Sequence, residues 1–380
     1  GLTIDTALSR THQELLDKQF TADIFPANAS DGTKVQGAAA CVDTRTGEVL
    51  AIVGGRSYDV RRGFNRATRL RRQPGSALKP LAVYAPAIDR YGYMTCSVLK
   101  DEPTNFNGYK PRNSSYTYYG NVSIRTALKN SLNVSTVALL NQIGVNSGRD
   151  YMASVGIPLD DRDANLALGL GAMTYGVSPV QLAAAYAPFG NGGTYTEPRL
   201  YTQVLDHDGN VLLDNTPQTR TVLKETTAFL LTDAMQDVIT SGTGTAVNFG
   251  TMPIAGKTGT TNDDRDMVFA GYTPYYTCVT WGGFDDNSVQ DYNRYERTLW
   301  RNIMERIHEG LEYKEFTRPE GLTAVSVCTK SGKLPIEGVC DTDPRGSMVT
   351  TEYFANGTVP TEYCDHHVAA TICTDSNMMA

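Results

Sequence analysis

The 380-residue sequence has no apolar run approaching the ~20 residues of a membrane span, and no charged leader followed by a short apolar core. A span and a signal peptide are therefore not expected within it. Positive charge is not in surplus either. With 34 Lys and Arg against 41 Asp and Glu, the net charge is −7, which argues against a nucleic-acid protein. The main basic cluster, Arg61, Arg62, Arg66, Arg69, Arg71 and Arg72, reads as a solvated loop face. Internal repeats and low-complexity runs are absent. The seven cysteines do not come in an even set. Cys41, Cys96 and Cys278 lie among apolar or β-type residues, as buried thiols do. Cys328, Cys340, Cys364 and Cys373 gather near the C-terminus, in spacings that fit no zinc pattern, although Cys364-Asp365-His366-His367 invites the comparison. No metal and no cofactor is assigned. The sequence opens at Gly1 rather than methionine, so the expectation is a piece processed or excised from a longer protein.

Hydrophobic content of 41% and charged content of 20% are ordinary for a globular chain long enough for one large domain or two. A short strand at Leu2–Asp5 and a helix to about Phe20 open the sequence, with a loop at 26–33. Strands over Val35–Val42 and Glu48–Gly54 form a hairpin across Asp43–Gly47. A polar, Tyr-rich stretch from Asn105 to Tyr119 reads as an ordered loop near a cleft. Helical periodicity dominates from Ile124 to Phe189, with Ser178-Pro179 as a cap and first helical position. Strands follow near Tyr201–Leu205 and Val211–Leu213, then an amphipathic helix through Leu231, Ala234, Met235 and Val238. Three strands over Met252–Thr260, Met267–Tyr272 and Tyr276–Phe284 precede a helix at about Thr298–Glu309. Strands flanking a helical block predict an α/β fold with helices on both faces of a sheet and an all-helical insertion. Beyond about residue 316 the composition shifts to that of a small separate tail.

The stretch Arg71–Pro80 carries the chemistry. Pro74-Gly75 punctuates a loop running into a helix start, which places Ser76 and Lys79 on one helical face. A serine hydroxyl attacks only when a base takes its proton, and a lysine serves only as the neutral amine. Burial, the helix N-terminus and a second cation all favour that form. A second Ser-x-x-Lys, Ser97 to Lys100, runs into Asp101-Glu102-Pro103, an extended or turn segment that need not bring its lysine to its serine. Further on stand the only Ser-x-Asn, Ser131-Leu132-Asn133, and the only Lys-Thr-Gly, Lys257-Thr258-Gly259.

In that order these three motifs match the set found in penicillin-binding proteins and serine β-lactamases. With Phe64–Ala67, Arg72–Ser76, Ile124–Leu128, Ser178–Ala183, Gly190–Gly193 and Gly271–Pro274, the chain resembles the transpeptidase part of a class A, bifunctional penicillin-binding protein. The resemblance runs from Leu2 to about residue 367. It implies the penicillin-binding transpeptidase (serine β-lactamase-like) fold, a mainly antiparallel sheet flanked by helices plus an all-helical subdomain. It also implies a linker remnant at 1–33, after an absent glycosyltransferase domain and membrane anchor. A transpeptidase domain at 34–315 and a small Cys-containing tail at 316–380 follow. Carried over residue by residue, Ser76 is the nucleophile and Lys79 its base. Ser131 is the proton bridge, Asn133 holds the substrate amide and orients Lys79, and Lys257 supplies positive charge. Thr258 and Thr260 suit the substrate carboxylate, Gly259 gives the substrate backbone room, and the Ser76 and Thr260 N–H groups form the oxyanion hole. The implied partners are peptidoglycan stem peptides, β-lactams bound covalently at Ser76, and other cell-wall synthesis proteins. The implied place is the extracytoplasmic face of the bacterial membrane. A β-lactamase needs a deacylating glutamate, and none stands between Ser131 and Thr196. A D,D-carboxypeptidase and a non-enzymatic β-lactam sensor carry the same motifs and stay open. Among the tail cysteines, a disulfide such as Cys340 with Cys364 is one pairing, since four cysteines allow three complete connectivities.

Overall fold

The computed structural model describes residues 1–21, 23–26, 32–58, 60–290 and 294–369; most of the loop expected at 26–33, and Cys373, lie outside them. At its centre is a five-stranded, wholly antiparallel sheet. Its spatial order is Ala255–Thr260, Asp266–Tyr272, Tyr276–Gly283, Gln36–Asp43 and Val49–Val53. The first of these begins at Ala255 rather than at the expected Met252, since Pro253 has no N–H to give a ladder.

Ala38, Ala39, Ala40, Cys41 and Val42 are all buried, without the alternation of a half-exposed strand, because helices cover both faces. Two residues of one strand show the two sides. Phe269 meets Trp300 of the helix Tyr295–Ile307 edge to face, with ring centroids 5.0 Å apart. Tyr272, of opposite parity, stacks on Phe189 of the helix Pro179–Gly190 and shares a hydrogen bond with Thr232 of the helix Glu225–Thr240. Each of these large side chains contributes roughly 2–3 kcal/mol through burial. Ser178 and Gln181 form a capping box at the start of Pro179–Gly190, which sets where that helix enters the core.

The expected helical block is present as Ile124–Lys129, Val134–Ile143 and Val145–Ser154. The N-terminal segment is built into the rest. Thr3–Thr6 pairs with Tyr201–Leu205, and Gln13 on Arg10–Gln19 exchanges two hydrogen bonds with the Ile52 backbone, at 2.8 and 3.0 Å. Near the other end, Leu322–Cys328 and Val349–Ala355 form their own two-stranded sheet. Glu352 ties it to the helical block by accepting from Nε and Nη2 of Arg125, and it also accepts from the Thr95 hydroxyl, each at 2.7 Å. No described helix is long and apolar enough to cross a membrane.

Candidate active site

Gly75 opens the key turn at φ +55°, a backbone region glycine enters freely. The chain then winds through a 3-10 turn, Gly75–Leu78, a π-helical segment, Pro80–Tyr84, and the α-helix Ala85–Arg90. The helix start expected near Ser76 is there, though neither of its first two segments has α pitch. Other backbone presses directly on it. A Cβ on Gly259 would collide with the Pro74 carbonyl, and one on Gly171 with the Gly75 carbonyl. The room expected of Gly259 for a substrate is thus taken first by the protein's own turn. Tyr186 donates to the Ala77 carbonyl at 2.5 Å and holds the turn from below.

Ser76 is half-buried on the wall of a cleft of about 1270 Å³, shared with Ser131, Asn133, Thr258 and Thr260. Lys79 and Lys257 are fully buried behind that wall. Lys79 Nζ donates to Asn133 Oδ1 at 2.6 Å, to the Ser131 carbonyl at 2.7 Å and to the Leu132 carbonyl at 2.9 Å. Ser131 Oγ lies 3.4 Å from Lys79 Nζ and 2.8 Å from Lys257 Nζ. Ser131 has φ +56°, a strained conformation for a residue with a Cβ, costing about 1–2 kcal/mol. That turn, between Ile124–Lys129 and Val134–Ile143, is what aims both its carbonyl and its hydroxyl at the lysines.

Burial pushes the Lys79 amine well below the ordinary lysine range, and Lys257 pushes the same way against the opposing pull of Asp101. Three acceptors around Nζ suit an ammonium, while desolvation disfavours it; the second effect is the larger. Burial, then Arg297, lowers Lys257 to about 7. Two amines that would be fixed cations in water are thus both pushed toward the neutral form.

The edge strand supplies a further donor. Thr261 N–H is spent on the Asp266 carbonyl at 3.1 Å, so by strand alternation Thr260 N–H faces away from the sheet. Ser76 N–H belongs to the first turn of its helix, where no intrahelical acceptor exists. All the residues singled out in the three motifs therefore line one cleft or stand directly behind it. Lys100, by contrast, is exposed on the strand Val98–Asp101, and Ser97 Oγ accepts the Met94 N–H, so the second Ser-x-x-Lys forms no such pair.

Several supporting residues escaped the sequence reading. Asn113 Oδ1 accepts the Asn133 N–H at 2.7 Å, and its Nδ2 donates to both oxygens of the buried Asp101, at 2.8 and 3.1 Å. Thr243 Oγ1 meets Thr258 Oγ1 at 2.8 Å, and Arg297 donates to the Thr243 carbonyl at 3.1 Å. The stretch Asn105–Tyr119 does lie along the cleft, through Tyr109 to Ser114 and Tyr116, but nothing in its composition marks Asn113. Away from the cleft, the structure brings together Cys328, Cys340, Cys364 and His367, residues that the sequence reading left without a metal. The six described cysteines are free thiols, Cys340 and Cys364 included.

Comparison with known proteins agrees with this geometry. A family model described as the penicillin binding protein transpeptidase domain matches residues 37–281. Another, the penicillin-binding protein 1A C-terminal domain, matches residues 318–369. Penicillin-binding protein 1A of Clostridium botulinum is 40% identical over 391 residues, covering 98% of this chain and 47% of that relative. The chain thus spans about half the length of the curated relatives it matches. The structure is similar to that of penicillin-binding protein 1A from Haemophilus influenzae, with TM-score 0.73, 26% identity, and coverage of 87% of this chain and 54% of that one. At 24% identity and TM-score 0.71, the fold is also that of the PonA1 protein from Mycobacterium tuberculosis in complex with penicillin V, covering 84% of this chain and 89% of that one.

Proposed function

The chain belongs to the penicillin-binding protein transpeptidase family, and on that premise we propose that it is a D,D-transpeptidase that cross-links peptidoglycan stem peptides through an acyl-serine intermediate. The observation that carries the reading is the hydrogen-bonded line Lys79–Ser131–Lys257, with both amines buried behind the cleft wall that Ser131 shares with Ser76. Ser76 Oγ bonds to the carbonyl carbon of the penultimate D-Ala, and its proton passes to Lys79 Nζ. The oxyanion takes hydrogen bonds from the Ser76 and Thr260 N–H groups, each worth about 3 kcal/mol at the transition state. As the carbon–nitrogen bond breaks, the Ser131 hydroxyl, both donor and acceptor, relays a proton to the departing D-Ala nitrogen. An acceptor amine from a second stem peptide then attacks the ester, and Ser76 recovers its proton. Asn133 holds the substrate amide, while the Thr258 and Thr260 hydroxyls on the cleft wall receive the terminal carboxylate and the buried Lys257 supplies positive charge behind them.

A β-lactam undergoes the same first step, but its leaving nitrogen stays tethered and blocks the acceptor. The penicillin V complex of the similar PonA1 protein supports this. Hydrolysis of the acyl-enzyme is slow in this reading, because among the described residues no glutamate lines the cleft. The described carboxylates there are Asp264 and Asp266, and Asp266 is engaged by Trp281 Nε1 at 2.9 Å. The substrate of this reading lies at the extracytoplasmic face of the membrane, where the domain would act. Intact-mass measurement after incubation with a penicillin tests the proposal. One ligand mass, mapped to the peptide containing Ser76 and absent from Ser76→Ala, is expected; labelling that survives in Ser76→Ala overturns it.

A further inference from the structure

The C-terminal unit holds a cluster of side chains that the acylation chemistry does not use. Cys328 ends the strand Leu322–Cys328, Cys340 lies in the long connection 329–348, and Cys364 and His367 follow the second strand. Their ligating atoms, three Sγ and one Nδ1, all lie within 4.8 Å of one another. His367 Nδ1 is 3.4 Å from both Cys328 Sγ and Cys364 Sγ. A tetrahedral zinc with Zn–S near 2.3 Å and Zn–N near 2.05 Å has sulfur–nitrogen edges of about 3.5 Å, so the spacing fits. The three cysteines are no more than 5% exposed, and the His367 side chain is 8% exposed.

Three independent features prepare these atoms for a cation. Each sulfur faces a main-chain N–H: Lys330 to Cys328 at 3.4 Å, Ile336 to Cys340 at 3.3 Å, and His366 to Cys364 at 3.4 Å. Donors placed so favour a thiolate over a thiol. Asp343 accepts from His367 Nε2 at 3.1 Å, which fixes the proton there and leaves the Nδ1 lone pair aimed at the sulfurs. Lastly, the stretch that carries Cys340 has little regular structure of its own. Two strands alone are marginal, and the connection 329–348 contains no regular element. A disulfide is a poorer account, since pairing any two of the three thiols strands the third beside an oriented imidazole.

We propose that Cys328, Cys340, Cys364 and His367 bind one structural zinc ion that staples the C-terminal unit. All four coordination positions come from the protein, so the site is closed and serves folding rather than catalysis. The full chain, purified without added oxidant or chelator, is to be analysed by elemental mass spectrometry. One zinc per chain is expected in the wild type and in Cys41→Ser, whose thiol lies in the central sheet, and none in Cys340→Ser. Asp343→Asn should weaken zinc affinity about 10–100-fold. Should Cys340→Ser unfold the unit, cobalt(II) reconstitution of the wild-type chain reads the same donors, giving tetrahedral d–d bands with sulfur-to-cobalt charge transfer. Substoichiometric zinc without thiolate–cobalt bands overturns the proposal. So does a disulfide between any two of the three cysteines in the protein as isolated, or stoichiometric iron or copper in place of zinc.

Discussion

Lys79 and Lys257, from segments far apart in the chain, converge on one hydroxyl, Ser131 Oγ, at 3.4 and 2.8 Å. The pair sets the pH response. Acylation by the route above needs Lys79 without its extra proton and Lys257 with it. Lys79 is held well below its ordinary range by burial and then by Lys257, and Lys257 is lowered to about 7 by burial and then by Arg297. The second-order rate constant for acylation should therefore be bell-shaped, falling on the alkaline side near pH 7 as Lys257 loses its charge. Lys257→Arg should remove that alkaline limb. A rate that climbs without a break through the ordinary lysine range would show that the charge on Lys257 is not required.

The same buried amines weigh against folding. A lysine whose folded-state pKa is depressed costs stability wherever the unfolded chain would bind the proton and the folded chain resists it. For Lys257 the cost is complete below about 7 and disappears as pH rises toward 10.5. Lys257→Met should therefore raise the melting temperature at pH 6 to 7, by an amount that shrinks toward alkaline pH, while acylation falls about 10²–10⁴-fold. Thermal melts across the pH range check this; a variant less stable than wild type at pH 6 contradicts it.

Asn113 positions Asn133 without reaching the reacting atoms. Asn113→Ala should remove the acceptor for the Asn133 N–H and leave the buried Asp101 short of a donor, costing about 1–3 kcal/mol. If the role is positional, acylation slows more than non-covalent binding weakens. Stopped-flow separation of the two steps distinguishes this from a loss of fold alone.

The acyl-enzyme should persist, with hydrolysis slow relative to its formation. Sustained turnover of a chromogenic cephalosporin by the pure protein would move the chain among the β-lactamases.

A chain ending at residue 315 would lose Glu352, whose carboxylate bridges Arg125 and Thr95. Arg125 keeps Asp233 and Asp237, so the helical block should still fold, with a lower melting temperature, and Ser76 should still acylate. A folded fragment that no longer acylates would make the C-terminal unit part of the catalytic domain.

The reacting residues were legible because short motifs carry them: three or fewer positions separate Ser76 from Lys79 and Ser131 from Asn133. The strands were legible too, since runs such as Ala38–Val42 are apolar throughout. What stayed hidden depends on contacts across the chain. Asn113 is an ordinary polar residue in a polar loop until the fold sets it between Asp101 and Asn133. Arg125 and Glu352 are 227 positions apart. The thiol and imidazole cluster is assembled from a strand end, a long connection and a turn, so its sequence spacing follows the path of the backbone and no known pattern. Gly259 was singled out for a substrate, but only coordinates could show that its own Pro74 occupies the space first.

That contact, with its counterpart at Gly171, has a consequence for how this protein can evolve. The turn presenting Ser76 is gripped by main chain on two sides, where any added atom collides. At those two glycines there is almost no mutational latitude. Tyr109 to Ser114 and Tyr116 line the same cleft with side chains that can be exchanged without meeting that main chain, so variants that escape an inhibitor while retaining the reaction should collect there sooner than at Gly171 or Gly259. The geometry sets inherited positions beside adaptable ones.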